Sequence, residues 1–118
     1  MKNQTFFRRL GFAVNGLKVA LGSENSFRVH ALAACGVVGI LIWRRPSPIW
    51  WAAIAVTVAV VLAAELVNTA VEHLADHLHP HEHPKIKVVK DCAAAAVLIA
   101  SIGALAVAAA FAVDQYSL

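Results

Sequence analysis

The sequence predicts an all-α membrane protein that forms one domain over residues 1–118, with one surface helix and three transmembrane helices. Of the 118 residues, 60% are hydrophobic and only 14% are charged. A soluble chain of this length cannot enclose so much apolar surface in its own core. Three apolar stretches approach the roughly 20 residues that cross a bilayer, at about 27–43, 49–73 and 91–113.

The segment at about residues 4–21 predicts an amphipathic helix that lies on the membrane surface. Its large apolar side chains fall near one face, and basic or polar side chains interrupt them. The apolar set is Phe6, Phe7, Leu10, Val14, Leu17 and Leu21. The alternative is a helix packed on a partner protein.

The first span is short, so we expect its helix to begin before Phe27. Trp50 and Trp51 open the second span, and together with Trp43 they form an interfacial cluster at one membrane surface. Pro46 and Pro48 predict a tight connection between the two spans. The third span is rich in alanine.

The basic residues predict the orientation of the chain. Two arginines, Arg44 and Arg45, lie between the first and second spans, while eight basic residues flank the other ends. These are Lys2, Arg8, Arg9, Lys18, Arg28, Lys85, Lys87 and Lys90. The positive-inside rule then places the N-terminus and the second connection in the cytoplasm. The net charge of +3 suits an anionic inner leaflet, and nothing in the sequence indicates nucleic-acid binding.

A polar stripe follows one face of the second span, next to Thr69. Its members recur at steps of three and four residues, as neighbours on one helix face do. They are Glu65, Asn68, Glu72 and Asp76. Glu65 lies about 24 Å of helix from Ile49, inside the bilayer but toward the cytoplasm. Carboxylates at membrane depth are costly and usually have a chemical use.

Other ionisable residues reach the same depth from the neighbouring spans. Glu24 comes just before the first span, and Lys90 and Asp91 open the third. This set suits a reaction between a soluble polyanion and a lipid hydroxyl: glutamates can hold Mg²⁺ with phosphates, and a lysine can neutralise a phosphoryl group. A carboxylate in apolar surroundings can accept a hydroxyl proton. Taken alone, Asp76 would be a solvated helix-end residue and Lys90 a snorkelling one.

Two motifs carry a resemblance to a known family. Glu65-Leu-Val-Asn-Thr-Ala-Val-Glu72, followed by Asp76, resembles the signature of the prokaryotic diacylglycerol kinase and undecaprenol kinase family. Lys90-Asp91-Cys-Ala-Ala-Ala-Ala-Val97 resembles its second signature. The N-terminal segments Asn15-Gly-Leu and Ser23-Glu-Asn-Ser-Phe-Arg28 are also similar, so the resemblance covers nearly the whole chain.

The resemblance implies a homotrimeric kinase of the bacterial inner membrane, with active sites shared between subunits on the cytoplasmic side. It would transfer the γ-phosphoryl group of ATP to diacylglycerol or undecaprenol, with Mg²⁺. Glu65 would be the catalytic base, and Glu24 and Glu72 would ligate the metal. The nucleotide and phosphate site would contain Asn68, Asp76, Lys90, Asp91 and His83. The basic residues expected to help hold the substrate are Arg8, Arg9 and Arg28.

One departure bears on the lipid. Some diacylglycerol-preferring members have an acidic residue where this chain has His30. The segments Phe27-Arg-Val-His30, Asn15-Gly16 and His83-Pro84 look more like the undecaprenol kinase branch. The resemblance therefore favours a polyprenol acceptor slightly, and leaves the reaction type unchanged.

Five histidines crowd the end of the second span and the segment after it: His73, His77, His79, His81 and His83. Imidazoles at this density could bind Zn²⁺ or Ni²⁺, or become charged near pH 6. We expect a polar loop beside the nucleotide instead, with His83 as the residue closest to it.

Two other functions remain open at this point. A small proton-coupled transporter would use Glu65 as an intramembrane proton carrier, but its site should lie near the bilayer midplane. A structural membrane subunit would use the polar stripe only to lock helices together, and the alanines of the third span would allow close packing.

Overall fold

The computed structural model describes residues 3–116, and over these residues the chain is almost entirely α-helical, without strands. In chain order the helices are α1 Phe6–Ser23, α2 Asn25–Arg44, α3 Pro48–Leu78 and α4 Pro84–Tyr116. The last three are long and apolar enough to cross a membrane. The predicted fold class is confirmed. Lys2, one of the basic residues used for the orientation, lies outside the described residues.

Helix α1 begins and ends two residues later than the predicted surface helix. Thr5 caps it, because its hydroxyl accepts a hydrogen bond of 3.3 Å from the Arg8 N–H. Phe6 and Phe7 are 71% and 80% exposed, so the apolar face of α1 is left uncovered by this chain. An uncovered apolar face on a basic helix fits the interface of a membrane.

The first spanning helix, α2, begins at Asn25, ahead of Phe27 as expected. It ends in a left-handed residue, Arg45 (φ 48°, ψ 56°), whose N–H bonds the Leu41 carbonyl at 2.8 Å. Pro48 then opens α3 at a position where a missing N–H costs nothing. The connection predicted from the two prolines is therefore as tight as expected.

Helices α3 and α4 extend well beyond the predicted spans. They contain 31 and 33 residues, so each is about 46–50 Å long, against roughly 30 Å of hydrocarbon. The polar residues after Glu72 keep the helical periodicity, and α4 begins at Pro84 rather than near Asp91. Lys85, a basic residue assigned to the connection, lies on the first turn of α4.

The small core lies at the end of the bundle where α2 ends and α3 begins. We call this the tryptophan end, after Trp43, Trp50 and Trp51. Leu41, Ile54 and Phe111 are buried there, one from each spanning helix. Trp50 packs edge-on against Phe111 with ring centroids 5.4 Å apart, and its Nε1–H donates to the Asp114 carboxylate at 2.8 Å. These contacts fix the far ends of α3 and α4 together.

A second link at the tryptophan end comes from Arg44. Its guanidinium donates to the Gln115 carbonyl at 2.9 Å and lies 4.7 Å from the centroid of the Tyr116 ring. A positive charge that donates to a carbonyl at the C-terminus of a helix interacts favourably with the helix dipole, here that of α4. The last turn of α4 is therefore held by α2 as well as by α3.

Large apolar side chains cover the outside of the described chain. On α4 they include Leu98, Ile99 and Leu105, which are 61%, 71% and 70% exposed. Contiguous apolar surface on this scale needs lipid or other protein against it. The exterior therefore fits a membrane setting.

Candidate functional site

The polar stripe of α3 becomes steadily more exposed toward the end of the helix. Glu65 is 3% exposed and Thr69 7% exposed, whereas Asn68 and Glu72 are half-buried and Asp76 is exposed. The spacing of these residues predicted one stripe that runs from apolar surroundings into water. In the structure, the exposure of the stripe residues rises in this way along α3 of a single chain.

The Glu65 carboxylate meets a side chain from α2. His30 Nδ1 lies 2.5 Å from Glu65 Oε1, although the two atoms are not aligned as a hydrogen bond. The Glu65 side chain is 4% exposed and that of His30 is 32% exposed. The sequence singled out His30 for its bearing on the lipid, not for this contact. A polar ring inside an apolar span was the available signal.

Two neighbours of Glu65 on α3 differ in how their polar atoms are used. The Thr69 hydroxyl donates to the Glu65 backbone carbonyl at 3.0 Å, so it is occupied by its own helix. Asn68 Oδ1 is buried and has no hydrogen-bond partner among residues 3–116. Buried amide oxygens are nearly always paired, so Asn68 Oδ1 is an exception within the described residues.

Glu24 approaches α3 from the junction of α1 and α2. Its carboxylate lies 3.8 Å from His73 Nε2, and His73 follows Glu72 directly in the chain. No group of three histidine, cysteine or acidic side chains within residues 3–116 could hold a metal ion alone. Mg²⁺ usually takes one or two carboxylates and completes its shell with water and phosphates. That Glu24 and Glu72 hold Mg²⁺ stays a prediction.

One ion pair joins the end of α3 to the start of α4, and a second lies within α4. Lys90 Nζ lies 2.5 Å from Asp76 Oδ1, and Lys87 Nζ lies 2.7 Å from Asp91 Oδ2 one turn away on α4. These pairs border a cavity of about 550 Å³ between the two helices. The other polar residues around it are His79, His81, Glu82 and His83. The cavity is open, and two lysines and three histidines contribute to its lining.

His83 caps α4. Its Nδ1 accepts a hydrogen bond of 3.1 Å from the Lys85 N–H, and its carbonyl accepts from the Lys87 N–H at 2.9 Å. Pro84 occupies the first helical position between them. The sequence placed His83 near the nucleotide, and in the structure it lines the cavity while it holds the helix start.

The three arginines expected at the substrate are not gathered at the stripe. Arg8 and Arg9 are exposed on α1. Arg28 donates to the Leu21 and Gly22 carbonyls at 3.1 and 3.2 Å, and so closes the C-terminus of α1. The hydrogen bonds that Arg28 forms therefore stabilise the junction of α1 and α2.

A groove runs from the stripe toward the tryptophan end. It encloses about 370 Å³ between α2, α3 and α4, and its walls are almost wholly apolar. His30 stands at one end of the groove and Tyr116 at the other. His30, which contacts the buried carboxylate, thus lines the apolar groove, and Asp76 at the end of the stripe lines the other cavity.

Together these features define a small helical membrane protein whose ionisable side chains gather at one end of three spanning helices. The family model of the prokaryotic diacylglycerol kinases matches residues 11–112. The chain belongs to the prokaryotic diacylglycerol kinase family and is a small membrane lipid kinase. No individual curated protein matches it significantly. The family predicted from the two motifs is confirmed.

Proposed function

We propose that the chain transfers the γ-phosphoryl group of ATP to the hydroxyl of a membrane lipid alcohol, with undecaprenol favoured over diacylglycerol. The observation that carries this proposal is a single buried carboxylate, Glu65, in contact with His30, which lines an apolar groove. A lipid alcohol can place its hydrocarbon chain in such a groove and its hydroxyl at the carboxylate. The family match favours this reaction over the transporter and the structural subunit.

In the proposed reaction, the lipid hydroxyl oxygen attacks the γ-phosphorus and a new O–P bond forms. The bond between the γ-phosphorus and the β–γ bridging oxygen breaks, and ADP leaves with its electron pair. The hydroxyl proton passes to Glu65. A carboxylate that water barely reaches is suited to this transfer, because bulk solvent does not compete for the proton.

The surrounding residues would bind and orient the phosphates. Lys90, held by Asp76, would lie against the negative charge of the transferring group, and the Asn68 amide N–H would donate to a phosphate oxygen. Asp91 and His83 border the same region. Glu24 and Glu72 would hold Mg²⁺, which when bound neutralises charge on the phosphate oxygens.

The proposal includes the setting of the enzyme. We place it in the bacterial inner membrane with α1 and the polar end of the bundle toward the cytoplasm, where ATP is available. The distribution of the basic residues supports this orientation. A homotrimer with shared sites would cover the apolar surface that one chain leaves exposed.

The test is a kinase assay on the purified full chain in lipid micelles with Mg-ATP, with diacylglycerol and undecaprenol side by side. Glu65→Gln should abolish turnover while the thermal unfolding midpoint stays close to that of the wild type. Asp114→Asn is the matched control, since it removes a carboxylate at the tryptophan end and keeps an acceptor for Trp50. Full activity in Glu65→Gln would remove this residue from the reaction. Faster turnover of diacylglycerol would reverse the proposed lipid preference.

A further inference from the structure

We propose that His30 is a positioning residue that holds one oxygen of Glu65 and leaves the other for the acceptor hydroxyl. The proposal rests on the proposed function, in which Glu65 is the base. It gives α2 a role in the reaction. The residues predicted to bind the nucleotide, hold the metal or act as the base all lie outside α2 beyond its first turn. The two side chains come from different helices and meet only because α2 packs on α3.

The geometry supports a direct role for Nδ1. This atom lies 2.5 Å from Glu65 Oε1, and both atoms are buried; neither has an aligned hydrogen bond among residues 3–116, so their proximity is the contact that the proposal uses. No other ionisable side chain within these residues forms an ion pair with the Glu65 carboxylate. His30 is therefore the group that can fix the rotation of this carboxylate.

The chemistry assigns one tautomer to the ring. A neutral imidazole donates from one nitrogen and accepts at the other. A ring that carries its proton on Nδ1 would donate to Glu65 Oε1 after a small rotation and would then fix the carboxylate plane. Proton transfer is sensitive to such orientation, because a misplacement of about 1 Å can lower the rate of a reaction roughly 100-fold.

The place of His30 in the groove makes the contact relevant to the acceptor. The ring is one of the few polar groups in the wall of the groove, and it stands at the end next to Glu65. Its side chain is 32% exposed, so the face that is not against Glu65 is open to the groove. A lipid alcohol in this groove would meet the ring and the carboxylate together.

Three variants separate a donor at Nδ1 from simple packing. In His30→Asn the amide nitrogen can occupy the place of Nδ1, whereas in His30→Gln it reaches the place of Nε2. His30→Leu fills the space without a donor. We expect His30→Leu and His30→Gln to lower kcat by about 10- to 100-fold with an unchanged KM for ATP. His30→Asn should recover most of the lost rate.

The experiment uses the full chain reconstituted with Mg-ATP and undecaprenol, and thermal unfolding checks each variant. Wild-type kcat in His30→Leu would overturn the inference, and so would equal rescue by Asn and Gln. If His30→Leu does not fold, the comparison of Asn with Gln still decides. Glu65→Gln separates the two proposals: if it is inactive while His30→Leu is fully active, the base remains and only the positioning role fails.

Discussion

At the scale of single residues, burial separates the carboxylates of the stripe. Glu65 is 3% exposed and meets the His30 ring, whereas Asp76 is exposed and paired with Lys90. A buried carboxylate is costly unless a partner holds it, and an exposed one is not. The two acidic groups on one helix face are therefore suited to different tasks.

The ion pair between Asp76 and Lys90 gives a prediction about nucleotide affinity. Both side chains are largely accessible to water, at 64% and 35% exposed, so the pair adds little to folding stability. We expect Lys90→Met to raise the KM for ATP and lower kcat by at least about 10-fold, because it removes the charge that we propose meets the phosphates. Steady-state kinetics with ATP measure KM and kcat, and thermal unfolding in detergent measures the small expected change in stability.

Lys85→Met is the matched control for this prediction. Lys85 lies on the same helix, is exposed, and forms no ion pair within the part of the chain that the structure describes. The same change in charge there should leave the kinetics close to wild type. An equal loss in both variants would mean that Lys90 acts only through the general positive potential of this surface.

At the scale of elements, α3 keeps the site rigid. One uninterrupted helix of 31 residues carries Glu65, Asn68, Glu72 and Asp76, so their relative positions follow from the helix geometry alone. For this reason the stripe could be predicted from spacing. The contacts that come from other helices could not be, because they depend on how α2 and α4 pack against α3. His30 against Glu65 and Lys90 against Asp76 are the two examples.

The start of α4 gives a prediction about His83. Its Nδ1 accepts from the Lys85 N–H, so His83→Ala should lower the free energy of unfolding by about 1 kcal/mol through loss of the cap. Asparagine is a strong cap, and His83→Asn should restore the stability. Thermal unfolding of the two variants measures this.

The activity of the same two variants then tests the expected place of His83 near the nucleotide. If His83→Asn restores the stability but not the KM for ATP, the imidazole contributes to nucleotide binding beyond its cap. If it restores both, His83 acts only by shaping the start of α4. Hydropathy predicted the apolar spans in this region but not the polar extensions of α3 and α4 beyond them.

At the scale of the whole molecule, one chain leaves much of its apolar surface uncovered. Only Phe111 is buried along α4. Hydropathy could predict that these helices span a membrane, but it cannot distinguish surface that meets lipid from surface that meets another subunit. The proposed homotrimer, with sites shared between subunits, is the arrangement that the family resemblance implies.

Shared sites predict that two inactive variants restore each other. If Glu65 of one subunit works with Lys90 of its neighbour, an equal mixture of Glu65→Gln and Lys90→Met should recover about a quarter of the wild-type rate after subunit exchange. The measurement is turnover of the co-reconstituted mixture, with the unmixed variants as controls. No recovery would place both residues of each site in one chain, as Asp76 and Lys90 are placed here.

Helices α3 and α4 are tied at both ends, by Trp50 with Asp114 and by Asp76 with Lys90. Two contacts so far apart favour a single register of one helix along the other. A thinner or thicker bilayer must then be met by a change of tilt of the pair as one unit. The depth of Glu65 below the headgroups would thus follow the length of the surrounding acyl chains.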